Sequence, residues 1–229
     1  MNKAGRLKAL FEEQAKCTDC PRLVKTRTNV VHGRGNPEAR IVIVGEAPGE
    51  EEDKTGEPYR GRAGQTLDEI IESLYSDEPE TGAGEDDFYI LNCVACRPCI
   101  PNPLTGRMEN TKPTHVEIAN CRKWVHKIIY TIDPIVLILT GDVPAAAFGL
   151  KKAISKIQGQ MFDVQIDGVN GPVTYAAMPV FHPSYLNRRR DKPELLENTK
   201  RHFSKVVERV WAYLRVARGL SPVPVGEEE

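Results

Sequence analysis

The chain has 229 residues, enough for one α/β domain with a sizeable core. Its 40% hydrophobic and 28% charged residues are the composition of an ordinary globular protein, and no run approaches the roughly 18 apolar residues of a transmembrane helix. A net charge of −1 excludes a global basic field for nucleic acid, so any DNA contact must come from a local patch, for which the sequence offers Arg188, Arg189, Arg190 and Lys192.

Residues 4–16 read as a helix, with Leu7, Leu10 and Phe11 on one face. This opening is amphipathic and charged, unlike a signal peptide, which predicts a cytoplasmic protein. Cys17 and Cys20 end the helix, followed by Pro21. Residues 41–44 (IVIV) are a buried strand. It breaks into a turn with Gly45, Glu46, Ala47, Pro48 and Gly49, then a carboxylate run (Glu50, Glu51, Glu52, Asp53) and a second Gly/Pro loop carrying Tyr59. Loops at the C-terminal ends of parallel strands are where α/β proteins place their chemistry. With so many acids at a helix start, this one suits a flat, polar, uncharged ligand better than a phosphate.

Helical spacing returns over residues 65–75, and residues 76–87 read as an exposed acidic loop. Residues 88–94 are a strand, and residues 97–113, with four prolines, form a long irregular loop. Thr114 with Glu117 three residues on is a capping box that opens a helix to about Thr131. Residues 135–139 are a strand before Thr140-Gly141, and residues 143–148 a short helix. Two further strands span 161–166 and 173–178, the last ending at Phe181-His182-Pro183-Ser184. A long helix covers 195–216, and residues 221–229 read as a disordered tail. Strands alternating with helices predict an α/β fold with a mostly parallel sheet, in one domain over residues 1–220.

Six cysteines in a reducing compartment argue for metal or catalysis before disulfides. Cys17 and Cys20 form a C-x2-C pair suited to presenting two thiolates to one metal, and the second group is Cys93, Cys96, Cys99 and Cys121. Zinc and an iron–sulfur cluster both accept four thiolates, so spacing leaves both open. The bland alternative is that all six are small buried hydrophobes.

Seven segments in order carry a resemblance: Cys17-x2-Cys20, Val44-GEAPGEEED, Gly56-EPYRGRAG, Leu91-NCVACRP, Glu117-IANC, Val136-LILTG and His182-PSYL. Together they make the chain similar to the family 4 uracil-DNA glycosylases, the iron–sulfur branch of their superfamily. The resemblance implies a three-layer α/β/α fold, uracil-containing DNA as substrate, and a structural [4Fe–4S] cluster on Cys17, Cys20, Cys96 and Cys121, leaving Cys93 and Cys99 as extra thiols. A monomer is expected.

Base excision requires extruding the base into a pocket. Negative charge then grows on the departing uracil, so a neutral or cationic donor is needed at its O2, and His182 is the candidate. Asn92 has the amide that reads uracil O4 and N3–H, a pattern cytosine inverts. On the same resemblance Tyr59 stacks on the flipped base and Glu52 crowds C5 against thymine. Glu46 is the first-motif acid, which orients water or stabilises the cationic sugar, and Gly45 and Ala47 let the backbone come close. Leu186 is expected to wedge into the duplex, with Arg188 and Arg189 on phosphates. The bland readings are a structural histidine, a turn-forming Asn92, a core Tyr59 and a solvated arginine face. For Glu50 and Glu51 a solvated helix start is preferred.

The chain departs from the family at Tyr59, usually Phe, at Ala95, commonly Lys, and in the long Cys96–Cys121 spacing. The loop from Cys99 to Pro113 sits where a related branch carries a histidine that traps uracil covalently. It contains no His, so no covalent adduct is predicted. The competing readings are a non-catalytic superfamily member that binds DNA or uracil, and a zinc-stabilised binding module.

Overall fold

The computed structural model describes residues 1–76 and 84–217. The expected tail at 221–229 and most of the acidic loop lie outside these residues. The architecture is α/β/α in one domain. The central sheet comprises β1 (Arg34–Gly35), β2 (Ile41–Gly45), β3 (Phe88–Asn92), β6 (Val136–Thr140), β7 (Phe162–Gly168) and β8 (Gly171–Val180), ordered β1-β3-β2-β6-β8-β7. The inner four, β3, β2, β6 and β8, run parallel, and β1 and β7 pair antiparallel at the edges.

The inner strands read as unbroken apolar runs because both faces are covered. β2, β3 and β6 are buried at every position. On one face Ile41, Ile43, Ile90 and Ile138 meet α4 (Arg62–Ser76), through Leu67 and Ile70, and α9 (Pro193–Ala217), through Phe203, Val206 and Val210. On the other, Val42, Val44, Leu137 and Leu139 meet α1 (Lys3–Gln14) and α5 (His115–Ile132), through Leu7, Val125, Ile129 and Ile132. The predicted capping box opens α5: Thr114 Oγ1 accepts from Glu117 N at 3.2 Å, and Glu117 Oε2 from Thr114 N at 2.8 Å.

Several short elements escape the sequence patterns. These are α2 (Pro21–Thr26), α7 (Ile154–Ile157) and α8 (Pro183–Arg188), whereas α3 (Glu50–Thr55) begins at the expected acidic helix start and α6 (Asp142–Ala147) lies one residue off its expectation. The stretch read as one irregular loop contains a hairpin, β4 (Cys99–Pro101) paired antiparallel with β5 (Met108–Asn110). Its prolines hid the strand pattern. A two-stranded ribbon has a free edge, so its prolines break no inner ladder.

Candidate active site

The parallel strands end together, and their loops enclose a cleft of about 710 Å³ lined by Glu46, Ala47, Glu52, Tyr59, Asn92, His182 and Arg188. β2 supplies the first loop. Gly45 faces Asn92 in register across β2 and β3. A Cβ on Gly45 would lie 2.3 Å from Asn92 Oδ1 and 2.5 Å from Tyr59 Oη. Gly45 therefore makes room for two side chains of the site rather than lining the cleft itself. Beyond the strand ends, Cys93 N donates to Gly45 O at 2.8 Å and Val94 N to Glu46 O at 3.2 Å, which holds the two loops together.

Asn92 is 8% exposed and lines the cleft, yet its amide has no hydrogen-bond partner among the described residues. With no protein partner and a place on the cleft wall, the amide is open for a ligand with both a donor and an acceptor.

His182 sits between β8 and α8 and caps that helix. Its Nδ1 accepts from Ser184 N at 3.0 Å and lies 2.8 Å from Ser184 Oγ. A backbone N–H can only donate, so in the neutral ring the proton is on Nε2. Nε2 lies 3.4 Å from Tyr59 Oη, itself 2.7 Å from Thr140 Oγ1. Thr140 donates its one proton to Val44 O at 3.1 Å. Tyr59 must then donate to Thr140 and turn its lone pair to Nε2–H. The chain of donors has one consistent direction, from His182 to the backbone of β2. Burial, and next Arg188, push the His182 pKa down to about 4, so the ring is neutral at pH 7.

Burial raises the Glu46 carboxyl above its usual range, against the pull of Lys112, with Asp142 adding to the rise and Arg188 opposing it. Lys112 and Arg188 are thus both within electrostatic reach of Glu46. Glu52 is held by three backbone N–H groups: Gly49 at 3.0 Å on Oε2, Arg60 at 3.0 Å and Gly61 at 2.8 Å on Oε1. It fastens the two loops of the first motif. Tyr59 is 4% exposed, sits at φ 56°, and stacks on His182 with ring centroids 5.9 Å apart.

Leu186 does not meet its expectation. It is 5% exposed, packed in the core cluster with Phe181 and Leu67, so in this structure it is not available to enter a duplex. The first turn of α8 directs it inward, and Arg188 of the same helix faces the cleft instead. Arg189 lies off the cleft and pairs with Asp191 at 3.4 Å.

The cysteines gather below the first loop. Cys20, Cys96 and Cys121 pack with Leu23, Val94, Ile118 and Ala47. Cys17 and Cys20 both add to the electrostatic field at Cys96 and Cys121. Nitrogen donors surround the sulfurs: Arg27 Nη1 on Cys96 at 3.2 Å, Ala95 N on Cys121 at 3.4 Å and Asn120 Nδ2 on Cys20 at 3.6 Å. Burial pushes the Cys121 thiol up to about 12. Among the described residues no three His, Cys, Asp or Glu side chains form a group able to hold a single metal ion. Cys93 and Cys99 are buried at 2% exposure each.

Sequence reasoning missed Thr140, Ser184, Arg27, Arg97 and Lys112. Ser184 was visible inside His-Pro-Ser, and Arg97 inside Cys-Arg-Pro. Thr140, Arg27 and Lys112 carry no local signal.

Fold and cleft together define a class, an α/β protein with a polar pocket at its parallel strand ends, equipped with an unpaired amide and a neutral imidazole. The family model described as the Uracil DNA glycosylase superfamily matches residues 32–215, and the chain belongs to that superfamily. It is similar to the Type-4 uracil-DNA glycosylase of Thermotoga maritima, with 42% identity over 80% of this chain and 84% of the relative. The Type-4 uracil-DNA glycosylase of Archaeoglobus fulgidus is 34% identical over 87% of this chain and 90% of its own length. A Type-5 uracil-DNA glycosylase of Thermus thermophilus is 30% identical over 63% of this chain and 74% of the relative.

Proposed function

We propose that the protein is a uracil-DNA glycosylase of the iron–sulfur type that opens base-excision repair in the cytoplasm. One observation carries the reading: the Asn92 amide, almost buried and unpartnered, shares a cleft with His182 Nε2–H. Relatives named for uracil excision support it.

In this mechanism the uracil nucleotide leaves the duplex and its base enters the cleft. Asn92 accepts from N3–H and donates to O4, which rejects cytosine. Tyr59 presents its ring to the base, and Glu52, held rigid by three amides, crowds C5. The C1′–N1 bond breaks with its electron pair moving to uracil. His182 Nε2–H donates to O2, where that charge grows. Water adds to C1′, and Glu46 orients it, takes its proton and stabilises the cationic sugar. Ala47 lets the first loop lie close to the base, and Arg188 and Arg189 hold phosphates.

Cys17, Cys20, Cys96 and Cys121 would hold a [4Fe–4S] cluster. The chemistry of the donor set supports this: Cys17 and Cys20 act electrostatically on Cys96 and Cys121, and N–H donors reach the sulfurs of Cys20, Cys96 and Cys121. When bound, the cluster supplies cross-links between the α1–α2 loop, the loop after β3, and α5.

The test is excision from an oligonucleotide carrying one uracil, read as alkali-labile strand breaks. The parent cleaves, and His182→Ala and Asn92→Ala each lose at least about a hundredfold, as expected for removing a transition-state donor. No cleavage by a folded, DNA-binding parent would establish the non-catalytic alternative instead.

A further inference from the structure

Leu186, the residue expected to engage the duplex around an extruded nucleotide, lies in the core. The structure offers an apolar element elsewhere. Leu104 is 92% exposed, Ile100 49%, and both belong to the hairpin formed by β4 and β5.

This hairpin is continuous with the cleft. Asn110, at its end, and the following Thr111 and Lys112 line the cleft wall. Its anchor is Arg97, a buried cation at 8% exposure. Arg97 Nε donates to Asn110 Oδ1 at 2.7 Å, and Nη2 to Met108 O at 3.1 Å, with Glu50 Oε2 at 3.4 Å. A buried guanidinium with three such partners fixes the base of the ribbon against the first cleft loop.

The tip is equally well built. Asn102 Oδ1 accepts from Leu104 N at 2.8 Å and Thr105 N at 3.0 Å, while Asn102 Nδ2 donates to Glu109 Oε1 at 2.6 Å. Asn102 N donates to Arg107 O, and Gly106 N to Asn102 O, each at 2.8 Å. The turn that lifts Leu104 into solvent is therefore rigid, and its exposure is not the accident of a loose loop. Arg107 stands beside it, within electrostatic reach of Glu50 on the cleft wall. Three-residue strands make the ribbon about 10 Å long, roughly the rise of three base-pair steps of a duplex.

We propose that the hairpin from Cys99 to Asn110 is a second DNA-docking element, seating Leu104 in a groove of the duplex beside the extruded nucleotide with Arg107 on a phosphate. Apolar tips that enter a groove next to cationic phosphate contacts are a general way of holding bent DNA. Lys112 on the hairpin side and Arg188 on the α8 side, both facing Glu46, flank the cleft mouth between the two supports. The proposal rests on the glycosylase reading for its choice of DNA as partner.

The experiment measures binding to a uracil-containing duplex and to the matching single strand by fluorescence anisotropy across salt concentrations, with excision run in parallel. The variants are Leu104→Ala, Arg107→Ala, and replacement of residues 102–107 by Asn-Gly, a two-residue turn that keeps the ribbon. Leu104→Ala is expected to weaken duplex binding about tenfold, the worth of one buried leucine, and to leave single-strand binding unchanged. Arg107→Ala lowers the salt slope on duplex by about one. Duplex binding unchanged in all three variants, or single-strand and duplex binding falling equally, would overturn the hairpin's role. A parent that binds duplex through the hairpin yet excises no uracil would separate failure of the glycosylase reading from success of this one.

Discussion

At the residue scale the decisive group is the proton on His182. Ser184 N occupies Nδ1, so the neutral ring carries its hydrogen on Nε2, facing Tyr59 Oη and the cleft. Burial, reinforced by Arg188, holds the pKa near about 4, below the usual 6.5. Between those values the unfolded chain binds a proton that the folded chain refuses. Stability is therefore lost as pH falls from about 6.5 to about 4. We expect His182→Asn to flatten this dependence. In urea titrations at pH 7 and pH 4.5, the parent should lose about 2 kcal/mol more than the variant. Equal losses would mean that His182 is protonated in the folded state. The place of the imidazole at a strand end before Pro183 was legible from its motif. Its tautomer was not, because it depends on the folded start of α8, which sets Ser184 N against Nδ1.

At the element scale, the site is assembled by short contacts between loops and helix starts. Gly64 lies in the first turn of α4, where alanine would ordinarily stabilise the helix. A Cβ there would fall 1.8 Å from Tyr59 O, a backbone atom, so the loop would have to move. Gly64→Ala is expected to destabilise the fold by about 2 kcal/mol or more despite the gain in propensity, and to lower excision by displacing the Tyr59 ring. A melting temperature at or above the parent's would sink this account. Arg22 and Glu117 form a second such joint. Both guanidinium bonds are 2.8 Å, and they tie α2, just after Cys20, to the start of α5, one turn before Cys121. Burial opposes the Glu117 charge, but Arg22 and Thr114 together keep its carboxyl below the usual range. The capping box was legible in the sequence because Thr114 and Glu117 are three residues apart. The tie to Arg22 was not, nor was the Cys99–Asn110 hairpin, whose prolines mask its period of two.

Across the whole molecule, the sheet order does the gathering. Asn92 ends β3, Gly45 ends β2, and His182 follows β8, with β6 and its terminal Thr140 between the last two. The four thiols proposed as cluster ligands come from three separate segments on one side of that sheet. Cys121→Ser is expected to abolish the visible absorbance of anaerobically purified protein and to lower its melting temperature. Cys99→Ala, at a thiol outside the proposed set, should keep the absorbance. The reverse pattern would reassign the ligands. The sequence by itself determined the alternation of strands and helices, the apolar runs of the parallel strands and the capping box, because each is written in neighbouring residues. The tertiary structure alone decided that Leu186 faces the core, that Glu52 is fastened by three amides, and that Leu104 stands free at the rim. Those outcomes depend on which surfaces the sheet and helices cover, and burial is a property of the packed whole.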